Sequence, residues 1–205
     1  MKQEEICSRL IDSAIHVVAN EGLHKATTKA ISVHSGINET NIYRFFNDKE
    51  DLLAKAFTSL DCELVSKVML HIQIMHMQKI DFKARCEFLF NSIWKFLLQN
   101  REKCVTFVRY YYSTYFEKYS LIDHRQRFQP LINEFDTALK PESNTWMILN
   151  HILSVMLDFA IKVFNKEVSN NEDTAKHVFM LVYSSVELYR RNPEAPDSEE
   201  TSDDE

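Results

Sequence analysis

The sequence contains very few residues that interrupt helices. Only two glycines and four prolines occur among 205 residues, and Pro130 is the only proline before residue 141. Turns between strands depend on such residues, and the alternation of apolar and polar residues that marks strands is absent as well. These absences exclude a fold built on sheets. They predict an all-α protein of about nine helices, in which the 45% of hydrophobic residues form a substantial core.

Patterns that bind metals or support catalysis are also missing. The four cysteines are far apart and form no C-x-x-C pair: Cys7, Cys62, Cys86 and Cys104. His71 and Met75 would share a helix face, but His76 is turned away from His71 and no cysteine is near. No nucleophile and base, phosphate loop or carboxylate pair stands at a catalytic spacing. We therefore expect reduced thiols, no metal, no cofactor and no enzymatic activity.

Signals for export or membrane insertion are not recognisable either. The first ten residues, MKQEEICSRL, include no apolar run of the kind found in signal peptides. The most apolar long segment, 146–164, is interrupted by Asn150, His151, Asp158 and Lys162. These polar residues favour a buried helix over a membrane span, so we expect a cytoplasmic protein.

An excess of positive charge, the usual mark of a nucleic-acid-binding domain, is lacking too. The net charge is −6, and seven of the 30 acidic residues lie in residues 194–205, which include no basic residue. The rest of the chain has 24 basic residues against 23 acidic ones. We predict that 194–205 is a disordered acidic tail, which either keeps the protein soluble or competes with DNA. Any affinity for nucleic acid must come from local patterning.

Such patterning is present in residues 27–49, TTKAISVHSGINETNIYRFFNDK, which predict a helix-turn-helix. One short helix would start at Thr27 or Thr28, either of which suits a cap. Gly36 would supply the positive φ of the turn, and Asn38 would cap the next helix. That second helix, at 39–46, has large apolar groups on one face and small polar or basic groups on the other. This is the layout of a helix that enters a DNA groove while its back packs on a domain.

Nine residues of this region are predicted to contact DNA. Arg44 and Asn41 suit bidentate contacts to guanine and adenine, with Thr40 beside them. The others suit contacts to phosphate or add to the local positive field: Thr27, Thr28, Lys29, Asn38, Tyr43 and Lys49. The opposing interpretation is a solvated helix face with no role in DNA binding.

Residues 9–57 resemble the DNA-binding domain of the tetracycline-repressor (TetR) family. The resemblance rests on five elements in order: Gly22, Thr27-Thr28, Gly36-Ile37, Tyr43-Arg44-Phe45-Phe46 and Lys49-Glu50-Asp51-Leu52-Leu53. Glu39, Asn41 and Arg44 depart from residues often found in that family, so the operator sequence stays open. The resemblance implies a three-helix DNA-binding head, a larger helical domain for ligand and dimerisation, and, as in most of the family, a repressor relieved by ligand.

We divide the chain into a helix-turn-helix head at 1–50, a helical ligand-binding and dimerisation body at 51–193, and the tail. Apolar residues that recur every three or four positions predict a long fourth helix at 52–78. This helix would connect the head to the body. A single helix is predicted at 102–119.

The last two predicted helices, 142–165 and 173–191, indicate a homodimer. The first is apolar on nearly all sides, so it must bury one side in its own subunit and another in a partner. Two heads related by a two-fold axis predict a palindromic operator in double-stranded DNA. The recognition helices should then lie about 34–36 Å apart, or a multiple of that distance.

A small-molecule effector is expected in the body, because an apolar cavity with few polar groups is how such sites are built. Five residues are candidates for contacting it: Trp94, Arg109, Tyr112, Phe116 and Asp158. For most aromatic residues the alternative is a place in the core. Asp158 is equally explained by an i,i+4 pair with Lys162 or by an ion pair in the dimer interface.

Together these patterns predict a ligand-responsive homodimeric repressor of transcription. Two alternatives remain open. One is a related DNA binder that acts in chromosome organisation, which many dispersed binding sites and no release by ligand would favour. The other is a ligand- or protein-interaction module whose head no longer grips DNA, as Glu39 and the neutral charge balance suggest. A failed gel shift at low salt would favour it.

Overall fold

The computed structural model of this chain describes residues 2–191, and the predicted tail lies outside them. Ten α-helices make up most of that stretch: α1 Gln3–Glu21, α2 Thr28–Ser35, α3 Thr40–Phe45, α4 Lys49–His71, α5 Phe82–Gln99, α6 Arg101–Tyr111, α7 Thr114–Tyr119, α8 Leu121–Asp136, α9 Thr145–Phe164 and α10 Glu172–Leu188. No sheet forms within residues 2–191, where one isolated bridge pairs Leu139 with Arg190. The all-α prediction is confirmed.

The described residues contain one helix more than predicted, because the segment 102–119 is broken. α6 ends at Tyr111 and α7 begins at Thr114. At the break the Ser113 hydroxyl donates to the Tyr110 carbonyl at 2.6 Å, and the Ser113 amide donates to the same carbonyl at 2.9 Å. Serine side chains compete with helical hydrogen bonds in this way. The chain turns here, and α7 packs back against α4.

The long fourth helix also differs from its prediction at both ends. It begins at Lys49 rather than residue 52, because the Asp48 carboxylate accepts the Asp51 N–H at 2.7 Å and caps the helix. It ends at His71, after which Ile72–His76 forms a 3-10 turn. α4 therefore crosses the predicted domain boundary at residue 50 without a break.

The head forms from α1, α2, α3 and the start of α4 around one apolar cluster. Leu10 and Ala14 of α1, Ile31 of α2, Ile42 of α3 and Leu52 of α4 are fully buried. A helix as short as α3 is not stable alone in water. Burial of its apolar face therefore holds it in place.

The link that follows α1 begins at Gly22, which has φ 98° and ψ 161°. The positive φ favours glycine, and the extended ψ distinguishes this residue from a left-handed helical stop. The Gly22 N–H donates to the Val18 carbonyl at 3.1 Å and so closes the last turn of α1.

Side chains of α6 fasten the head to the body. The Thr106 hydroxyl donates to the Ile15 carbonyl at 2.8 Å, and about one turn later the Arg109 guanidinium donates to the Val18 carbonyl at 2.6 Å. Both carbonyls belong to α1, which packs more extensively on α6 than on any other helix. The head is thus held by hydrogen bonds as well as by apolar packing.

Phe57 of α4 occupies the centre of the body core. It is fully buried, and its ring centroid lies 5.0 Å from that of Phe107, 4.8 Å from that of Tyr110 and 5.4 Å from that of Phe116. These rings come from α6 and α7, so one side chain joins three helices. Beyond this cluster, α9 and α10 pack on each other and on α5.

Replacing Phe57 with alanine is expected to lower the free energy of unfolding by about 3–5 kcal/mol, because it leaves a cavity among three aromatic rings. Urea denaturation followed by circular dichroism measures this. The matched change Phe88→Ala, on α5 at a side chain that is 49% exposed, should cost less than about 1 kcal/mol. Equal losses for the two variants would contradict the central position of Phe57.

Candidate nucleic-acid interface and body cavity

The turn between α2 and α3 is fixed by a small hydrogen-bond network. Gly36 has φ 65° and ψ 18°, the left-handed conformation predicted for it. The Ser32 hydroxyl donates to the Ile37 carbonyl at 2.7 Å, while the buried Ser35 hydroxyl accepts the Ile37 N–H at 3.2 Å. These contacts set the angle between the two helices without a bulky side chain.

α3 presents two chemically different faces. Ile42 at its centre and Phe46 just beyond its end are buried against the head. Thr40, Tyr43 and Arg44 are exposed on the other side, and the Arg44 guanidinium lies 5.5 Å from the centroid of the Phe45 ring. The exposed set is suited to base edges and phosphates.

The predicted capping residues are in place on this surface. The Thr27 hydroxyl accepts the Ala30 N–H at 3.1 Å and caps α2. The Asn38 side-chain carbonyl accepts the Thr40 N–H at 2.9 Å at the start of α3. Thr27, Lys29 and Asn38 are exposed, whereas Asn41 is half-buried.

Thr28 and Glu39 form a contact that the sequence did not suggest. The Thr28 hydroxyl donates to the Glu39 carboxylate. Thr28 is the first residue of α2, so the carboxylate lies at a helix N-terminus, where a phosphate of DNA would otherwise be favoured. In this arrangement the Thr28 hydroxyl is already engaged, and Glu39 occupies an anion position.

Lys49 is less free than predicted. Its side chain is 25% exposed, and its Nζ lies 3.5 Å from a carboxylate oxygen of Glu50. The ammonium group also lies 5.7 Å from the centroid of the Tyr115 ring, on α7 of the body. Lys49 therefore sits at the junction of head and body, beside the exposed surface rather than at its centre.

An apolar cavity of about 120 Å³ lies in the body. We call it the body cavity, and five helices line it, represented by Val68 of α4, Phe90 of α5, Phe128 of α8, Ile152 of α9 and Val182 of α10. The cavity thus touches the connecting helix and both helices predicted to form the dimer.

The body cavity carries almost no polarity. Cys86 and Tyr183 contribute its few polar atoms, and burial raises the pKa of the Cys86 thiol to about 12. Burial likewise raises the pKa of the Tyr183 hydroxyl. Both groups are therefore neutral at pH 7, and the cavity suits an apolar ligand or the apolar part of one.

None of the five predicted ligand contacts lines this cavity. Trp94 and Phe116 are buried in the core, while Tyr112 is 71% exposed. Arg109 donates to α1, as described above. Asp158 is exposed and pairs with Lys162, as the i,i+4 interpretation predicted. Three consecutive tyrosines on one helix point about 100° apart, so they cannot all face one cavity.

A buried charged cluster beside the aromatic core was missed from the sequence. Asp61 of α4 and His124 of α8 are both fully buried, with Asp61 Oδ1 2.9 Å from His124 Nδ1. The Arg127 Nε donates to Asp61 Oδ2 at 2.6 Å. The available signal was the position of Asp61, which lies four residues after Phe57 and three before Leu64, on the apolar stripe of α4.

The outer face of α9 and α10 is apolar, and nothing among residues 2–191 of the same chain covers it. Met147 on α9 is 65% exposed, and Met180, Leu181 and Leu188 on or at the end of α10 are at least half exposed. α9 is long and apolar enough to cross a membrane by length and composition alone, yet only 22% of its most apolar stretch is buried. The prediction that α9 is buried therefore holds for one side only.

Metal binding finds no support in the described part of the chain. No group of three or more histidine, cysteine, aspartate or glutamate side chains between residues 2 and 191 is arranged to hold a metal ion. His71 instead packs its ring 5.6 Å from that of Phe88, and His76 Nε2 lies 3.1 Å from Glu134 Oε2. The four cysteines are free, and Cys62 is exposed.

Comparison with known proteins identifies the head. Residues 10–56 match the family described as bacterial regulatory proteins, tetR family. A stretch of 49 residues is 35% identical to the fatty acid metabolism regulator protein of Bacillus subtilis (strain 168). That stretch covers 24% of this chain and 25% of the relative, so the similarity concerns a quarter of each protein.

Solved structures extend the similarity to the body as a matter of fold. A TetR-family transcription regulator from Marinobacter aquaeolei VT8 superposes with a TM-score of 0.76 at 13% identity, over 94% of this chain and 100% of the other. A second one, from Shewanella sp. PV-4, gives 0.71 at 16% identity, over 91% and 99%. The head thus matches the tetR family of bacterial regulatory proteins over residues 10–56, and the chain as a whole shares the fold of these two regulators.

Proposed function

We propose that this chain is a ligand-responsive repressor of transcription, which binds a palindromic operator as a homodimer and releases it when an effector enters the body cavity. The observation that carries the proposal is the geometry of α2, the Gly36 turn and α3. Buried Ile42 and Phe46 hold α3 on the head, while Thr40, Tyr43 and Arg44 are left free for the major groove. A repressor acting on DNA would work in the cytoplasm.

The uncovered face of α9 and α10 supports the homodimer. Four large apolar side chains there are at least half exposed, and a two-fold axis would let each chain cover the other's face, giving a four-helix bundle. The exposed Asp158–Lys162 pair would lie at the same interface. Two heads would then approach one DNA duplex together.

The path from the body cavity to the head supports a response to ligand. α4 carries Leu64 and Val68 in the cavity wall and, about three to four turns earlier, Leu52 in the head core. α6 holds α1 by hydrogen bonds from Thr106 and Arg109. A ligand that stabilises one position of α4 over another would shift the head relative to α6. It can do so only if it binds the two positions of α4 with different affinity.

The Arg44→Ala variant is expected to lose preference for one base pair of the operator, by about 1–3 kcal/mol, because a bidentate contact to a base is removed. Competition binding with operators changed at single positions measures this. Lys29→Ala is the matched control. It should weaken binding to every sequence and lower the salt slope by about one per subunit. Uniform weakening by Arg44→Ala would make Arg44 a phosphate contact instead.

Removing the negative charge of Glu39 is expected to strengthen DNA binding. Glu39→Gln keeps an acceptor for the Thr28 hydroxyl but no longer places an anion at the N-terminus of α2. The gain should be about 0.3–1 kcal/mol per subunit at low salt and should fade as salt is added. Glu21→Gln, at the exposed end of α1, serves as the control.

A gel shift at low salt measures the effect of Glu39→Gln. If the wild type fails to bind DNA and Glu39→Gln restores binding, the chain is an interaction module whose head is held off DNA by Glu39. If Glu39→Gln weakens binding, the carboxylate helps to order the interface and our interpretation of the Thr28–Glu39 contact is wrong.

Placing a charge on the outer face of α10 is expected to separate the dimer. Leu181→Glu would bury an unpaired carboxylate in the bundle, so multi-angle light scattering should give the mass of one chain at micromolar concentration. Leu70→Glu, at a side chain of α4 that is 68% exposed, should leave the mass unchanged. A dimer that survives Leu181→Glu would place the interface elsewhere.

A further inference from the structure

The cluster of Asp61, His124 and Arg127 leaves two nitrogen atoms without partners among residues 2–191. His124 Nε2 and Arg127 Nη2 are both buried and neither makes a hydrogen bond. The two side chains are one turn apart on α8 and share the Asp61 carboxylate. Buried polar atoms are nearly always paired, so two unpaired nitrogens in one cluster indicate a place for another polar group.

The surroundings of His124 supply no such group. Six aromatic rings have their centroids 4.6–6.4 Å from that of His124: Phe57, Phe107, Tyr111, Phe116, Phe128 and Trp146. Tyr111 is the one tyrosine among these six residues, and its hydroxyl already donates to Asn150 at 3.1 Å. A partner for the two nitrogens must therefore come from outside the described residues.

The charges of the cluster favour an anionic partner. Asp61 accepts hydrogen bonds from both His124 and Arg127. One carboxylate therefore serves as the counter-ion of a guanidinium and also binds an imidazole. Because Nδ1–H of His124 points to Asp61, Nε2 is free to share a proton with an acidic ligand, and Arg127 Nη2 donates. A carboxyl group offers two oxygens to these two nitrogens, whereas an amine would meet the guanidinium charge.

The cluster also adjoins the body cavity. Phe128 packs on the His124 ring at 4.6 Å and lines the cavity. Leu64, one turn after Asp61 on α4, and Leu131, one turn after Arg127 on α8, line it as well. One layer of side chains thus separates the two unpaired nitrogens from an apolar space of about 120 Å³.

We propose that the effector is a small carboxylic acid, whose carboxyl group binds His124 Nε2 and Arg127 Nη2 while its apolar part fills the body cavity. This rests on the proposed response to ligand and names its chemistry. An apolar cavity of about 150 Å³ accommodates benzene, so an acid of about six carbons fits. To join the two spaces, Phe128 must move, and the ligand would thereby couple α8 to α4.

The test is a calorimetric titration of the full-length protein with three compounds of one chain length: hexanoate, hexanol and hexylamine. Hexanoate should bind about tenfold or more tightly than hexanol, because two charge-assisted hydrogen bonds form only with the acid. Hexylamine should not bind. Equal affinity for hexanoate and hexanol would overturn the proposal, as would no binding of hexanoate. The two nitrogens would then hold water.

Variants locate the carboxyl group. His124→Asn keeps an amide N–H for Asp61 but removes the atom at the Nε2 position, so it should lower the affinity for hexanoate several-fold, towards that for hexanol. Hexanol binding should be unchanged, which shows that the variant is folded. His24→Asn, at an exposed histidine of the head, is the control. An unchanged hexanoate-to-hexanol ratio in His124→Asn would overturn the assignment.

A cavity variant separates this proposal from the proposed function. Ile152→Phe fills the body cavity and should abolish binding of both hexanoate and hexanol. If hexanoate binds as expected but never alters operator affinity, the site stands and the response to ligand fails. If the protein binds DNA and forms a dimer but binds no six-carbon acid, the proposed regulatory function survives and the proposed class of effector is wrong.

Discussion

The packing of α4 is the constraint on which the rest of the structure depends. Its first turns bury Leu52 in the head, its middle buries Phe57 among the rings of α6 and α7, and its second half lines the body cavity with Leu64 and Val68. One rigid helix therefore belongs to the head core, the body core and the cavity wall at once. Any change in how the body packs on α4 must reach the head.

Charge does little to attract this protein to DNA, and geometry must compensate. The chain without residues 194–205 is nearly neutral, Glu39 holds an anion position at the start of α2, and Lys49 is drawn towards Glu50 and Tyr115. One head alone should consequently bind DNA weakly. In the proposed homodimer, joining two heads through α9 and α10 would raise the effective concentration of the second head once the first is bound, so dimerisation would be part of DNA recognition.

The sequence predicted the features that depend on local chemistry. The Gly36 turn, the Thr27 and Asn38 caps and the apolar back of α3 follow from neighbouring residues, and all are present. Predictions from the sequence failed where contacts between distant residues determine the structure. The break at Ser113 depends on how α7 packs. Arg109 donates a hydrogen bond to α1 rather than to a ligand. The pairing of Asp61 with His124 joins residues that are 63 positions apart. Periodicity cannot distinguish a residue that lines a cavity from one in the core.

The central claim is that two heads on one two-fold axis read DNA together, and selection from a random DNA library tests it most directly. We expect the enriched sequences to be palindromes whose half-site centres lie about 10–10.5 base pairs apart, or a multiple of that spacing. Cutting such a site to one half should then remove most of the affinity. Enrichment of a single asymmetric motif, or full affinity for the half-site, would contradict the account.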